Sequence, residues 1–267
     1  MQNQKPESQK GRRFRRGGGM NILVTSGGTI ENIDSVRSIT NHSTGRLGSI
    51  IADCFARHGA SVTYLCGENA ALPKSESIKI IHIRNVLSLM TKMDELMQNE
   101  SFDSVIHAAA VSDYTPEMSL NLDDVVSRIC AVAAKPGDDL KSQIMTAISE
   151  TPPLSSDDKI SSDNPKLLLV LKQTPKIISR IKSNQPNTIL VGFKLLSNSS
   201  EEALLRAANK LIEQNACDFV LANDLRDISG NEHRAILLSE TGIVGKASTK
   251  QEIAKIIFRV VRERVSQ

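Results

Sequence analysis

Asn21-Ile22-Leu23-Val24-Thr25-Ser26-Gly27-Gly28-Thr29 is the stretch on which the fold turns. An apolar, β-branched run that stops at two glycines reads as a strand entering a tight turn. The chain continues Asp34-Ser35-Val36-Arg37-Ser38-Ile39-Thr40-Asn41-His42-Ser43-Thr44-Gly45, small hydroxyl residues with Arg37 and Asn41 among them, before a helical pattern begins. Glycines let the backbone approach a ligand, and free N–H groups at a helix start favour anions. The layout therefore implies a ligand that carries phosphate. The dinucleotide pattern G-x-G-x-x-G does not follow this strand.

The same alternation recurs along the chain. Strand patterns fall at 21–25, 61–66, 78–83 and 103–108, with further apolar runs at 166–171, 188–193 and 217–221. Helical periodicity occupies 44–58, 86–98, 175–183 and 200–214. A hairpin is expected at 234–238 and 243–247, then a helix at 249–264 whose Ile253, Ile256, Ile257, Val260 and Val261 share one face. Such β-α alternation predicts an α/β, Rossmann-like fold: a mostly parallel sheet with helices on both faces, plus a C-terminal hairpin. Residues 115–165 break the rhythm with five prolines and the polar run Ser155-Ser156-Asp157-Asp158. There a helix fits part of 137–149 and no strand pattern is strong, so the segment reads as a lid, binding loop or partner-contacting arm.

Composition bounds the class. The 267 residues are 40% hydrophobic and 24% charged, enough for one sizeable core built from Ile, Leu, Val and Ala, because aromatics make up only 3% and Trp is absent. No apolar run approaches the ~18 residues of a membrane span. Residues 1–19 hold six basic side chains against Glu7, a local +5; taken from the total of +3, this leaves −2 for 20–267. The cluster Lys10-Gly11-Arg12-Arg13-Phe14-Arg15-Arg16 is either a nucleic-acid-binding arm or, as its lack of apolar periodicity favours, a disordered leader or expression scar with Met20 as the natural start. Residues 20–267 then form a single domain. Cys54, Cys66, Cys130 and Cys217 have neither zinc nor disulfide spacing. Cys54, Cys66 and Cys217 read as small buried hydrophobes, and a cytoplasmic location is expected.

A second informative stretch is Asp103-Ser104-Val105-Ile106-His107-Ala108-Ala109-Ala110-Val111-Ser112-Asp113-Tyr114. Alanines at the carboxyl end of a strand leave the backbone open to a base or sugar, and ligands of open α/β sheets bind at that edge. Asp113 is placed to bond a ribose hydroxyl, a base or a cation; a turn aspartate capping its own backbone fits equally well. Lys159 is suited to neutralise a polyphosphate, though a lone loop lysine is most often simply solvated. Phe193, ending a strand, reads as a core residue or a base-stacking ring. Lys210 reaches forward only if its helix faces the site, and Asn223-Asp224 reads as an Asx turn. The five histidines have no metal spacing, and His107, inside an apolar strand, reads as a satisfied core residue. Neither G-x-S-x-G nor G-x-x-x-x-G-K-[ST] occurs.

Taken in order, these segments resemble phosphopantothenate–cysteine ligase (phosphopantothenoylcysteine synthetase), in its stand-alone bacterial form. The resemblance rests on the two stretches above with Lys159-Ile160, Lys172-Gln173-Thr174-Pro175, Val191-Gly192-Phe193 and Ala222-Asn223-Asp224, and it covers nearly all of 20–267. It implies two half-reactions. The 4′-phosphopantothenate carboxylate attacks a nucleotide α-phosphate and releases pyrophosphate; the L-cysteine amine then attacks the acyl-nucleotidylate and releases the nucleoside monophosphate. By matching positions, Asn41 would hold the acyl group, Arg37 would be a structural or substrate-orienting partner, and Lys159 would assist conversion of the intermediate. Gly27, Gly28, Ser43, Gly45, Ala108, Ala109, Ala110, Asp113, Phe193 and Lys210 would contact the nucleotide. CTP with Mg2+ is the expected co-substrate, ATP the alternative because Gly192-Phe193-Lys194-Leu195 resembles ATP-using eukaryotic forms. The 115–165 segment would be a mobile lid that also reaches across a homodimer, and no nucleic acid or membrane partner is implied.

Two positions depart from the family's pattern: Lys176, where many members carry an aspartate thought to help hold a cation, and Gln214, where a second lysine usually stands. No metal ligands are assigned. Two other classes compete. A non-catalytic nucleotide-binding module would tolerate loss of Asn41 and Lys159, both of which are present. An NAD(P)-dependent oxidoreductase commonly shows a Tyr-x-x-x-Lys pair, which neither Tyr64 nor Tyr114 provides.

Overall fold

The computed structural model describes residues 19–133 and 139–267. The expectations for the basic leader fall on residues outside this description, apart from Gly19. In chain order the elements begin with β1 (Asn21–Ser26), β2 (Ile30–Asn32), β3 (Ser38–Thr40), α1 (Arg46–Arg57), β4 (Ser61–Gly67), β5 (Lys79–Ile83) and α2 (Val86–Asn99). They continue with β6 (Ser104–His107), β7 (Tyr114–Asn121), α3 (Leu122–Ala133), α4 (Leu140–Glu150), β8 (Leu167–Gln173), α5 (Ile177–Asn184) and β9 (Ile189–Leu196). The last are α6 (Glu201–Asn215), β10 (Phe219–Asp224), β11 (Ile228–Ser229), β12 (Glu232–Ser239), β13 (Gly242–Thr249) and α7 (Lys250–Val265).

Six strands run parallel in the order β5-β4-β1-β6-β9-β10. Counted among themselves in chain order this is 3-2-1-4-5-6, the doubly wound arrangement whose direction reverses between its first and fourth strands. Here those are β1 and β6, so the reversal puts the glycine turn and the alanine segment side by side. Beyond β10, β12 adds antiparallel, β13 pairs with β12, and β11 continues alongside it. The expected C-terminal hairpin is β12–β13.

Period-two alternation explains why helices cover both faces. Ile22, Val24, Ile106, Val191 and Leu221 point to one face, where α1 supplies Ile51 and Phe55 and α7 supplies Ile253 and Ile257. Leu23, Leu65, Val105, Leu190 and Val220 point to the other, against Leu89 and Met93 of α2, Ile181 of α5 and Leu204 and Ile212 of α6. Burying each such side chain stabilises the fold by about 1.5–3 kcal/mol. Cys54, Cys66 and Cys217 are buried free thiols, and Cys130 is exposed. Among the described residues no helix is long and apolar enough to cross a membrane.

One strand is placed differently from the sequence expectation. The apolar run at 166–171 is not a strand of the parallel sheet. As β8 it pairs antiparallel with β7 in a separate ribbon. Five consecutive apolar residues imitate a strand buried on both faces. In the ribbon Leu167 to Val170 are only half-buried, and Leu171 is exposed. β7 is a poor match to any strand template: it carries Pro116 and a register shift between Pro116 and Met118. Between the two strands lie α3, which the sequence reading did not anticipate, and α4, which occupies most of the helix expected at 137–149.

Candidate functional site

The turn after β1 and the segment after β6 are joined beyond their ladders. Ala108 N–H donates to the Thr25 carbonyl at 3.1 Å, Ala110 N–H to the Gly27 carbonyl at 2.8 Å, and Thr29 N–H to the Ala110 carbonyl at 3.3 Å. Gly27 sits at φ +78°, and a Cβ there would stand 2.6 Å from the Ala70 Cβ. A Cβ on Gly28 would meet the Asn41 carbonyl oxygen at 2.8 Å. Both positions need bare backbone for steric reasons within the protein itself.

α1 starts directly over this turn. A Cβ on Gly48 would lie 2.2 Å from Ser26 Oγ, so only glycine lets the helix sit so low, and the Ser26 hydroxyl donates to the Gly45 carbonyl at 3.0 Å. Gly45 is the N-cap, at φ +70°, and offers no side chain to the first turn. The N–H groups of that turn have no intrahelical acceptor, and the helix end carries partial positive charge. An anion at the carboxyl edge of β1 satisfies both.

Asn41 Nδ2 donates to the Ala110 carbonyl at 3.4 Å and the Val111 carbonyl at 3.2 Å, tying its own loop to the alanine segment. Beneath, the Thr25 hydroxyl and His107 Nδ1 are 2.8 Å apart. Burial pushes the His107 imidazole down to about 4, so the ring is neutral at pH 7 and serves as a core hydrogen-bond partner. Ser112 N–H donates to Thr29 Oγ1 at 3.0 Å, and Thr174 donates its hydroxyl to the Ser112 carbonyl at 2.6 Å and its N–H to the Asp113 carbonyl at 3.0 Å. This network brings Asp113 to the rim, where its exposed carboxylate pairs with the Lys176 ammonium at 2.5 Å.

The loop between β2 and β3 holds the buried Asp34. Its Oδ1 accepts from Val36 N–H at 2.9 Å and Arg37 N–H at 2.7 Å; its Oδ2 accepts from Arg37 Nε at 2.8 Å and Ile160 N–H at 3.2 Å. Arg37 Nη2 also bonds Oδ2 and donates to the Ile160 carbonyl at 2.8 Å. The Arg37 guanidinium, joined by the three N–H donors, holds the Asp34 carboxyl well below the usual carboxylate range despite its burial. Lys159, the neighbour of Ile160, is thereby carried from the β7–β8 excursion to the loop that leads into Asn41.

The remaining expected residues are more dispersed. Ser43 is half-buried between Asn41 and Gly45. Phe193 does not end its strand, because β9 runs on to Leu196; it is partly buried against the α1–α7 side of the core. Lys210 is exposed on α6, a helix that packs on β9 and β10, to one side of the glycine turn. Asp224 closes an Asx turn, accepting from Arg226 N–H at 2.9 Å, and also receives Ser199 N–H at 2.7 Å. Arg226 holds the Asp224 carboxyl below its ordinary range.

Among the described residues no group of three His, Cys, Asp or Glu side chains could hold a metal ion. Asp113, the rim carboxylate, faces an ammonium rather than further acids. These residues do not fit a protein-built cation centre; the donors suited to Mg2+ at such a rim are phosphate oxygens of a bound nucleotide. Two residues carried no assigned role on sequence grounds. Asp34 has a readable sign, an arginine three positions on at the far end of a short turn that the carboxylate caps. Glu31, whose buried Oε1 accepts from Val86 N–H at 2.9 Å at the start of α2, has none, because its partner is 55 residues away.

Comparison with known proteins places this geometry in a family. Residues 18–121 and 141–265 match the model of the DNA/pantothenate metabolism flavoprotein C-terminal domain. A coenzyme A biosynthesis bifunctional protein CoaBC from Thermococcus kodakarensis is 33% identical over 220 residues, which are 82% of this chain and 45% of that protein. The chain spans about half the length of the curated relatives it matches. Among solved structures, the DNA/pantothenate metabolism flavoprotein from Streptococcus pneumoniae superposes with a TM-score of 0.77 at 38% identity, covering 92% of this chain and 99% of that one. A Cab2 variant in complex with phosphopantothenate-cysteine shares the fold, with a TM-score of 0.64 at 19% identity over 92% of this chain and 88% of that one.

Proposed function

This chain belongs to the DNA/pantothenate metabolism flavoprotein C-terminal domain family, and from that premise we propose that it is a nucleotide-dependent ligase joining 4′-phosphopantothenate to L-cysteine in coenzyme A biosynthesis. One observation carries the reading: at the reversal point of the sheet, a bare glycine turn, an uncapped helix start, Asn41 and the loop bearing Lys159 converge on one edge. The CoaBC relatives are named for coenzyme A biosynthesis, and the Cab2 structure carries phosphopantothenate-cysteine on the same fold.

A carboxylate is a poor acyl donor because its leaving group is an oxide. Attack of the phosphopantothenate carboxylate on the nucleotide α-phosphate expels pyrophosphate and leaves a mixed anhydride. The cysteine amine then adds to the acyl carbon, the nucleoside monophosphate departs, and the amine's proton is lost to solvent. Negative charge develops first at phosphorus and then on the tetrahedral acyl oxygen. The first-turn N–H groups of α1 hold phosphate, and the bare backbone at Gly27–Gly28 and Ala108–Ala110 lets the nucleotide lie against the sheet edge. Asn41 holds the acyl group through its amide, and Lys159 offsets the charge that builds as cysteine adds. Arg37, its guanidinium engaged with Asp34 and Ile160, acts as the structural partner.

CTP is the activating nucleotide, ATP the alternative, and Mg2+ arrives with the phosphates. The working form is a cytoplasmic homodimer. The test is pyrophosphate release by the purified protein with Mg2+, 4′-phosphopantothenate and L-cysteine, comparing CTP with ATP and omitting each component in turn. Release that requires phosphopantothenate, with phosphopantothenoylcysteine as product, supports the ligase, and the faster nucleotide identifies the co-substrate. A folded sample that releases none with either nucleotide is a nucleotide-binding module instead.

A further inference from the structure

The geometry points to Asp34 as the residue that positions Lys159, acting with Arg37 as a latch that ties the loop bearing Lys159 to the β2–β3 loop of the same chain. The proposal rests on the ligase reading for the role of Lys159, while the latch itself rests on contacts alone. A single buried carboxylate organises both halves. It folds its own loop through Val36 and Arg37 N–H, at 2.9 and 2.7 Å, and takes the Ile160 N–H at 3.2 Å across 126 residues of chain. Arg37 completes the grip by donating to the Ile160 carbonyl at 2.8 Å.

Both backbone polar groups of one residue, in two successive peptide units, are thus held, which fixes position and orientation of the main chain beside Lys159. The grip reads backbone and not side chain, and the Ile160 side chain is buried, 4% exposed, so the contact also has an apolar floor. The other long-range ties of the lysine loop stay inside the β7–β8 excursion, Leu154 N–H to the Ser119 carbonyl and Asn121 Nδ2 to Asn164 Oδ1, each at 2.8 Å. The remaining ties are short-range, so among the described hydrogen bonds those of Asp34 and Arg37 join the loop to the rest of the chain. Asp34 is therefore the long-range anchor that sets where the ammonium of Lys159 works. A displacement of about 1 Å at a charged group costs up to about 100-fold in rate.

The test uses the full chain and three variants, Asp34→Asn, Arg37→Lys and Lys159→Gln. Hydrogen exchange at 157–162 is expected to quicken at least about tenfold in Asp34→Asn with β1 amides unchanged, and less in Arg37→Lys, which keeps the charge but loses the fork. Conversion of the acyl-nucleotidylate should slow about tenfold or more in Asp34→Asn, with the nucleotide KM within about twofold of the parent. In the Lys159→Gln background, Asp34→Asn should add little further loss, since both act on the same ammonium. Parent-like exchange at Ile160 in Asp34→Asn, or an undiminished loss in the Lys159→Gln background, overturns the proposal. If Asp34→Asn does not fold, Arg37→Lys carries the same two readouts. Exchange that responds to Asp34 in a chain without ligase turnover supports the latch and overturns the ligase reading.

Discussion

The segments bearing Asn41 and Lys159 are joined through Asp34, Arg37 and Ile160, and substitutions at the two residues separate the two chemical roles proposed for them. Lys159→Gln keeps length and hydrogen bonding but removes the charge, so the first half-reaction should persist while cysteine addition slows. Acyl-nucleotidylate then accumulates, measured by mass in quenched single-turnover samples; turnover like that of the parent removes Lys159 from the mechanism. Asn41→Asp puts a carboxylate against the Ala110 and Val111 carbonyls that now accept its amide. Repulsion there loosens the tie between the two segments, and the intermediate should be held less well. Gly27→Ala combines φ +78° with a 2.6 Å approach to Ala70 Cβ. The expected loss is about 1–3 kcal/mol, read as a lower denaturation midpoint. These glycines were legible from the sequence as a bare turn. That Ala70 and the Asn41 carbonyl are what require them to be bare was not, since neither contact has a sequence signature.

At the level of elements, local signals and long-range ones divide cleanly. α2 starts with a capping box: Asn85 Oδ1 accepts from Ser88 N–H at 2.9 Å and Ser88 Oγ from Asn85 N–H at 3.0 Å. Asn85→Ala should cost about 1 kcal/mol, detectable by urea melting. The helices expected at 44–58, 86–98, 175–183, 200–214 and 249–264 form within a few residues of those limits. Each is long and strongly periodic, which is where pattern carries most information. β7, β8 and α3 mark the opposite case. β8 looks like a buried parallel strand because five apolar residues follow one another, and only its pairing with β7 assigns it to the separate ribbon.

Over the whole molecule, stability should fall on the acid side in two stages. Burial pushes His107 and His233 down to about 4, so between their ordinary 6.5 and about 4 the unfolded chain binds protons that the folded chain refuses. Stability is then fully present above 6.5 and falls with decreasing pH by about 1.4 kcal/mol per unit for each histidine. Asp34 and Asp224 act lower. Their carboxyls are held below the ordinary 3.8, so what they contribute is present above that value and is lost as pH falls further. Denaturant midpoints at pH 7, 6 and 5 should decline steadily; a flat series shows that the two rings take up protons in the folded chain as readily as in the unfolded one. His233 is buried, and among the described residues neither ring nitrogen has a hydrogen-bond partner. His233→Leu should keep stability at pH 7 within about 1 kcal/mol or raise it, and remove about half of the slope.

The sequence alone determined the parallel α/β architecture, the bare glycine turn at the end of the first strand and the family resemblance, because alternation, periodicity and contiguous motifs are local and survive in one dimension. Only tertiary structure decided that β1 and β6 are neighbours at the reversal point, that Lys176 answers Asp113, and that Ile160 is gripped by Asp34. Each of these joins residues far apart in the chain through one or a few hydrogen bonds. Such bonds are directional and form only once the sheet has set distance and angle. Spacing along the sequence carries no trace of them.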